Sequence, residues 1–395
     1  MDFQHTPREE LYKRIEKLKT ELNQNNIHGA LIIQKADLFY FSGTCQNAHL
    51  FVPSEGEPVL FVKKSLERAQ KESKIDSIEA MKNLKEMAEK IISMAGEKRN
   101  IGFELDVLPT NNYLYYKKLF PTHEIKDISL IIRKTRMIKS PYEIDRIKQA
   151  AELNYKMFSS IPHLLKEGIT EVAFASRLEA IYRENGHQGA IRMRGFNQEI
   201  HYGHLMSGWN LSYPSFFDGP TGGSGLHPSF PQSAGFKKIK RNEPVMVDYV
   251  GVYQGYMVDQ ARIFSIGPLS EKLIRAHEAA IEIKNTIIEN TRPGINGKDL
   301  YDLASNIAEK AGLSDHFMGY QNKISFIGHG VGIELDEFPI IAKNYDFVLE
   351  QGMVIALEPK FLFGDEGAVG IEDTLVVTDN CLDPITYFDN EIKVL

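Results

Sequence analysis

The sequence predicts an α/β (α+β) protein of two domains: a small α/β domain over residues 1–133 and a larger one over 134–395, built from two similar αα-ββ halves. Three observations predict it. A chain of 395 residues is too long for one ordinary core. Residues 1–133 alternate strand-like and helix-like segments, the pattern of a sheet covered by helices. Residues 134–395 contain an internal repeat.

In the first domain, "MDFQHTPREELYKRIEKLKTELNQ" (1–24) reads as a polar amphipathic helix. "ALIIQKADLFYFSG" (30–43) and "HLFVPSEGEPVLFVKK" (49–64) read as strands joined by turns, and "NIGFEL" (100–105) as another short strand. "SLERAQKES" and "MKNLKEMAEKIISMAG" read as helices. Beyond 133, Ser140-Pro141 followed by acidic residues is a helix start signal.

The repeat sets "EGITEVAFASRLEAIYRENG" (167–186) against "PGINGKDLYDLASNIAEKAG" (293–312). Gly168 and Gly294, Ile169 and Ile295, Ile181 and Ile307, and Gly186 and Gly312 all stand 126 residues apart. An amphipathic helix precedes each copy, over 142–162 and 268–290. Strand-like sequence follows each, and then a hairpin: 245–264 in the first half, 353–377 in the second. The two halves read as related by a pseudo-two-fold axis, and sites form where such halves meet.

Composition narrows the function. The apolar share is 43% and the charged share 25%, ordinary for a globular protein. A net charge of −7 argues against nucleic acid as a partner. Two cysteines, Cys45 and Cys381, supply neither a disulfide framework nor a Cys-rich zinc site, and they fit a reducing cytoplasm. The N-terminal segment lacks the apolar core of a signal peptide, and no uncharged apolar run is long enough to span a bilayer.

Chemistry concentrates in the hairpins. Asp248 in "VMVDYVGVY" and Asp259 in "GYMVDQARIF" stand eleven residues apart across a turn at Gly255. Glu358 follows "MVIAL", and Glu372 lies in "AVGIEDTLVV", fourteen residues on. Each acid alone is read as well by a solvated strand end. Four in strongly β, mostly apolar sequence call for positive charge, because an unpaired buried charge costs several kcal/mol. No lysine or arginine shares their spacing, so two divalent cations are expected to balance them. His329, in "GHGVGIELDEFP", is expected as a fifth, neutral ligand, with its flanking glycines giving the metal room. Carboxylates with one imidazole suit manganese, iron, cobalt or zinc.

"VDYVGVYQGYMVDQAR", "GHGVGIELDE", "IALEP" and "VGIEDTLVV" resemble the motifs of the aminopeptidase P, prolidase and methionine aminopeptidase superfamily, over residues 134–395. "DLFYFSG" and "MIKSPYEIDRIKQAA" resemble the small N-terminal domain of creatinase, prolidase and aminopeptidase P, and its junction with the catalytic domain. Methionine aminopeptidases lack that N-terminal domain. The resemblance implies a pita-bread catalytic domain and hydrolysis of a peptide or related amide bond, with water activated between two ions. It implies Asp248 on one ion, His329 and Glu358 on the other, Asp259 and Glu372 bridging, and Glu358 shuttling the proton. It also implies a homodimer.

The chain departs from the family around the substrate. Seven residues after His329, where the family has a histidine that stabilises the intermediate, stands Asp336. A carboxylate repels a developing oxyanion, so Asp336 is expected to recognise a donor such as a substrate ammonium, or to pair with a neighbour. The family's Pro-His becomes Pro231-Gln232, and the nearest histidine is His227. Ala261 replaces a threonine that supports a ligand, and Gly370 replaces an arginine. A long segment after Gly208 carries Trp209, Tyr213, Phe216 and Phe217, read equally as a surface loop or as a substrate wall. His204 occupies the first-half counterpart of the His329 strand. The expected catalytic residues are Glu358, Asp336 and His204, with His227, Trp209 and Arg262 meeting substrate. The alternatives are a creatinase-like or other small-molecule C–N hydrolase, a lyase on the same fold, or a non-catalytic binding protein. The full ligand set argues against a metal-free creatinase, and binding proteins on this fold generally lose ligands.

Overall fold

The computed structural model describes residues 4–96 and 99–395. The chain divides into two compact units, Met1–Arg136 and Met137–Leu395; the sequence places the boundary at 133.

The first unit runs α1 (Arg8–Gln24), β1 (Gly29–Ile32), α2 (Lys35–Ser42), β2 (Ala48–Pro53), β3 (Val59–Val62), α3 (Leu66–Glu72), β4 (Ser77–Ala80), α4 (Leu84–Ala95), β5 (Asn100–Phe103), α5 (Thr110–Leu119), β6 (Glu124–Asp127) and α6 (Ser129–Met137). The expected helix over 1–24 begins at Arg8, and its first three residues lie outside the described ones. The strands form one mixed sheet in the order β4-β3-β2-β1-β5-β6. One expectation fails here, because "KADLFYFS" is helix α2 and not strand. The Gln34 side chain accepts the Asp37 N–H at its start, and Gly43, at φ +74°, closes its end in the left-handed conformation. Aromatic residues bias such a run toward strand, but these caps and the burial of both faces prevail.

The second unit opens with α7 (Pro141–Leu164), whose start is a capping box: Ser140 and Glu143 each accept the other's backbone N–H. Then come α8 (Glu171–Glu184), β7 (Gly203–Ser207), β8 (Val245–Tyr253), β9 (Tyr256–Ser265), α9 (Glu271–Asn290) and α10 (Gly297–Lys310). The remainder is β10 (Phe326–Gly330), β11 (Glu337–Ala342), β12 (Val354–Leu357), β13 (Lys360–Phe363), β14 (Gly367–Gly370), β15 (Asp373–Val377), β16 (Leu382–Pro384) and β17 (Lys393–Val394). Helices α8 and α10 are each 14 residues long and start 126 residues apart. Gly168 and Gly294 both take positive φ, +81° and +97°, as do Gly186 and Gly312, +100° and +71°. The repeat is therefore a repeat of backbone conformation at positions that favour glycine.

Strands β7, β8, β9 and β17 make one sheet, and β11, β10, β12, β15 and β16 another. A bridge between Ala261 and Glu372 joins them. Alternation along each strand decides what faces the helices. In β8, Val245, Val247 and Tyr249 pack with Phe158, Phe174 and Leu178 of α7 and α8. In the second sheet, Ile355, Leu357 and Leu375 pack with Ile283, Ile287 and Leu300 of α9 and α10. Each such aliphatic or aromatic side chain contributes about 1.5–3 kcal/mol on full burial. Asp248, Ala356 and Thr374 hold the alternate positions, so packing of the helices turns the chemistry-bearing residues to the opposite faces.

Candidate metal centre

The first hairpin pairs Asp248 with Ala261 and Val250 with Asp259, so the two aspartates share a face diagonally. Ala261, small and fully buried, lies between them and Glu372. The second hairpin is interrupted: Leu357 pairs with Asp373 and Lys360 with Gly370, and Glu358 and Glu372 fall between. Pro359, which lacks an N–H, sits in the gap. His329 in β10 lies beside Ala356 of β12.

Asp259 Oδ2, Glu358 Oε1 and Glu372 Oε1 stand 4.0, 3.9 and 3.9 Å from His329 Nε2. These separations are too long for hydrogen bonds. They suit ligands of one ion with bonds of about 2.0–2.2 Å. His329 Nδ1 lies 3.2 Å from the Gly330 carbonyl oxygen, which draws the proton to Nδ1 and leaves the Nε2 lone pair facing the carboxylates. Glu372 Oε1 is buried with no hydrogen-bond partner. Lone pairs converge with no donor between them, and a divalent cation fits that arrangement. The ligand atoms of Asp259, His329 and Glu372 all lie within 4.8 Å of one another, and Glu358 stands outside that group. Burial, reinforced by the charge of Asp248, pushes the Asp259 carboxyl well above its ordinary range. Burial and the charge of Asp259 do the same to Glu372.

The sequence reading missed Lys360. Its Nζ donates to Asp248 Oδ2 at 2.7 Å, Glu358 Oε2 at 2.8 Å and Glu372 Oε2 at 2.8 Å. Burial alone would lower its pKa, but Asp248, Glu358 and Glu372 outweigh burial and hold it well above the ordinary lysine value. The premise that no basic residue serves the four carboxylates is thus corrected. Lys360 lies two residues after Glu358, a spacing that keeps a side chain on one face.

Other expectations also change. The glycines beside His329 do not make room for a metal. A Cβ on Gly328 would come within 2.6 Å of the Ala356 carbonyl oxygen, one on Gly330 would overlap the Phe338 carbonyl, and one on Gly332, further along, would come within 2.7 Å of the Glu337 carboxylate. They permit close packing of strand and turn. Glu337 itself accepts the Ile333 and Glu334 N–H groups and pairs with Lys139 at 2.9 Å. Asp336 accepts the backbone N–H of Arg194 and of Gly195, each at 2.7 Å. Its two oxygens hold the chain's own loop, the pairing alternative and not the donor-recognition one.

Arg262, expected at substrate, is 2% exposed. It pairs with Asp373 at 2.8 Å and donates to the Asp389, Ala261, Glu372 and Phe388 carbonyls. Three residues beyond Asp259, it projects from the other face of β9. The arginine and Lys284 hold Asp373 below its ordinary range against the opposing effect of burial.

His204 lies opposite Asp248 in the register of β7 and β8. Thr221 Oγ1 stands 3.2 Å from its Nδ1 and Gln232 Oε1 3.1 Å from its Nε2, and Phe217 packs edge-on. Burial holds its pKa low. Thr221 is a site neighbour that spacing does not reveal, while Gln232 stands where the family pattern has the histidine of its Pro-His. His227 sits in an exposed turn, its Nδ1 accepting the Ser229 N–H. Trp209 is 43% exposed beside Tyr213.

The duplicated αα-ββ unit brings a carboxylate–imidazole cluster together between its hairpins, an arrangement that can seat a divalent ion. Residues 145–379 match metallopeptidase family M24, and residues 14–138 match the creatinase/prolidase N-terminal domain. The chain belongs to metallopeptidase family M24, and its second unit has the pita-bread fold. It is 28% identical to the Xaa-Pro dipeptidase of Pyrococcus furiosus over 96% of this chain and 99% of that one. The prolidase of Pyrococcus horikoshii superposes with a TM-score of 0.79 at 27% identity, covering 95% of this chain and 99% of that one. The Xaa-Pro dipeptidase of Bacillus anthracis shares the fold with a TM-score of 0.84 at 23% identity, over 98% and 100%. Among the described residues, no helix is long and apolar enough to cross a membrane.

Proposed function

We propose that this chain cleaves Xaa-Pro dipeptides, with a divalent ion seated by Asp259, His329, Glu358 and Glu372. Convergence of Nε2 and three carboxylate oxygens with no donor between them is the observation that carries the reading. The two Pyrococcus relatives, an Xaa-Pro dipeptidase and a prolidase, support the substrate class. Manganese, cobalt, iron and zinc suit this donor set. Such an ion polarises the scissile carbonyl and lowers the pKa of a water.

Glu358 divides its work. Lys360 holds Oε2, and Oε1 faces the ion's seat, placed to take a proton from water and return it to the leaving amine. His204, pinned by Thr221 and Gln232, fixes the wall beside Asp248. Exposed Trp209 and His227 are available to substrate. The homodimer and the cytoplasmic setting belong to the same proposal; two free cysteines are consistent with the latter, and a monomer by sedimentation at micromolar concentration counts against the former.

The test is a panel of substrates: Xaa-Pro dipeptides, longer Xaa-Pro peptides, dipeptides without proline, and small amides or guanidino compounds, each with protein reloaded with one metal. Turnover of the first group carries the reading. Turnover of the last group alone favours the small-molecule C–N hydrolase.

A further inference from the structure

The carboxylate cluster holds two cation positions, and the chain fills one of them itself. Nζ of Lys360 has three N–H donors, and each meets a different carboxylate, Asp248, Glu358 or Glu372, at 2.7–2.8 Å. The side chain is 1% exposed and is enclosed by protein. Its stem runs over Gly370, where an added Cβ would come within 2.7 Å of Lys360 Cγ. Glycine at 370 therefore leaves the space that the stem occupies.

Glu358 and Glu372 each use one oxygen on the ammonium and turn the other toward His329. They bridge a lysine and a metal seat. Asp248 serves the ammonium, and Asp259 serves the His329 side. A second ion among Asp248, Glu358 and Glu372 would need bonds of about 2.0–2.2 Å to oxygens that already surround Nζ. It could enter only by expelling an enclosed lysine. We infer that Lys360 is a built-in cation that takes the place of a second metal ion, so that this chain binds one divalent ion, at Asp259, His329, Glu358 and Glu372. Lys360 is a positioning residue: it neutralises one charge of the cluster and fixes the orientation of both bridging glutamates.

The inference rests on the reading of this cluster as the metal centre, and counting ions separates the two. Full-length protein is stripped with chelator, dialysed against micromolar manganese or cobalt, and its metal counted by elemental analysis and native mass spectrometry. One ion per chain is expected in the wild type, with the manganese resonance of an isolated ion and no exchange coupling. Two ions per chain would overturn the inference and leave the metal centre standing; none would overturn both. In Lys360→Gly, which opens the position, a second ion should bind, raising the count from one to two. A folded Lys360→Gly that still binds one ion would show that the ammonium is not what excludes the second. Where that variant fails to fold, the wild-type count alone decides.

Discussion

Replacing Asp336 by asparagine tests whether this residue serves a loop or a substrate. Its carboxylate accepts two backbone N–H groups, from Arg194 and Gly195, at 2.7 Å each. An amide keeps one oxygen acceptor and turns an NH2 donor toward the other N–H. One of the two bonds is therefore lost and the other loses its charge. Hydrogen bonds to charged groups contribute about 1.5–3 kcal/mol, and Asp336 is half-buried, so water recovers part of the loss. The expected cost is about 2–3 kcal/mol. At roughly 2–4 °C per kcal/mol for a unit of this size, the Tm of the second unit should fall by roughly 4–12 °C. Hydrogen exchange by mass spectrometry should show faster exchange over 190–196, while metal content is unchanged. An unchanged melt and unchanged exchange, with turnover lost, would refute the loop-clamp role and restore Asp336 as a substrate contact.

Arg262→Met removes one partner of a buried charge cluster and leaves Lys284 as the remaining charged partner of Asp373; a loss of about 3–5 kcal/mol is expected in chemical denaturation, and a loss under 1 kcal/mol would contradict the clamp. His329→Ala should weaken manganese binding by at least tenfold in calorimetry, because it deletes the one neutral ligand. Acid should weaken both units through histidines buried neutral. Burial pushes His49 in the first unit and His277 in the second from 6.5 down to about 4. Between those values the unfolded chain binds more protons than the folded one, so stability falls as pH drops through that window and levels off below it. His277→Gln should reduce that slope for the second unit and leave the share of His187, which burial also pushes down to about 4, measured by urea denaturation at several pH values.

Much of the centre is legible in the sequence because period-2 alternation and a repeated offset are local signals. The acids at 248, 259, 358 and 372 can be read from strand patterning, and His329 from its place in the second half. Lys360 obeys the same alternation, two residues after Glu358, but Pro359 between them hides the continuity of the face. Arg262 fails for the opposite reason: adjacency to Asp259 in the motif suggests a shared task, while three residues along a strand place it on the other face, against Asp373. Thr221 and Gln232 meet His204 through a loop, and no periodicity reaches across an irregular segment. Helix α2 escapes because its aromatic residues suit a strand, and only the caps at Gln34 and Gly43 tell otherwise.

The most direct test of the account is hydrolysis of an Xaa-Pro dipeptide by one preparation in three states: as purified, chelator-stripped, and reloaded with a single divalent metal, each beside His329→Ala. The account predicts turnover that disappears on stripping, returns on reloading, and stays absent in His329→Ala at the metal concentration that restores the wild type. Turnover that survives stripping, or that persists undiminished without His329, would contradict it.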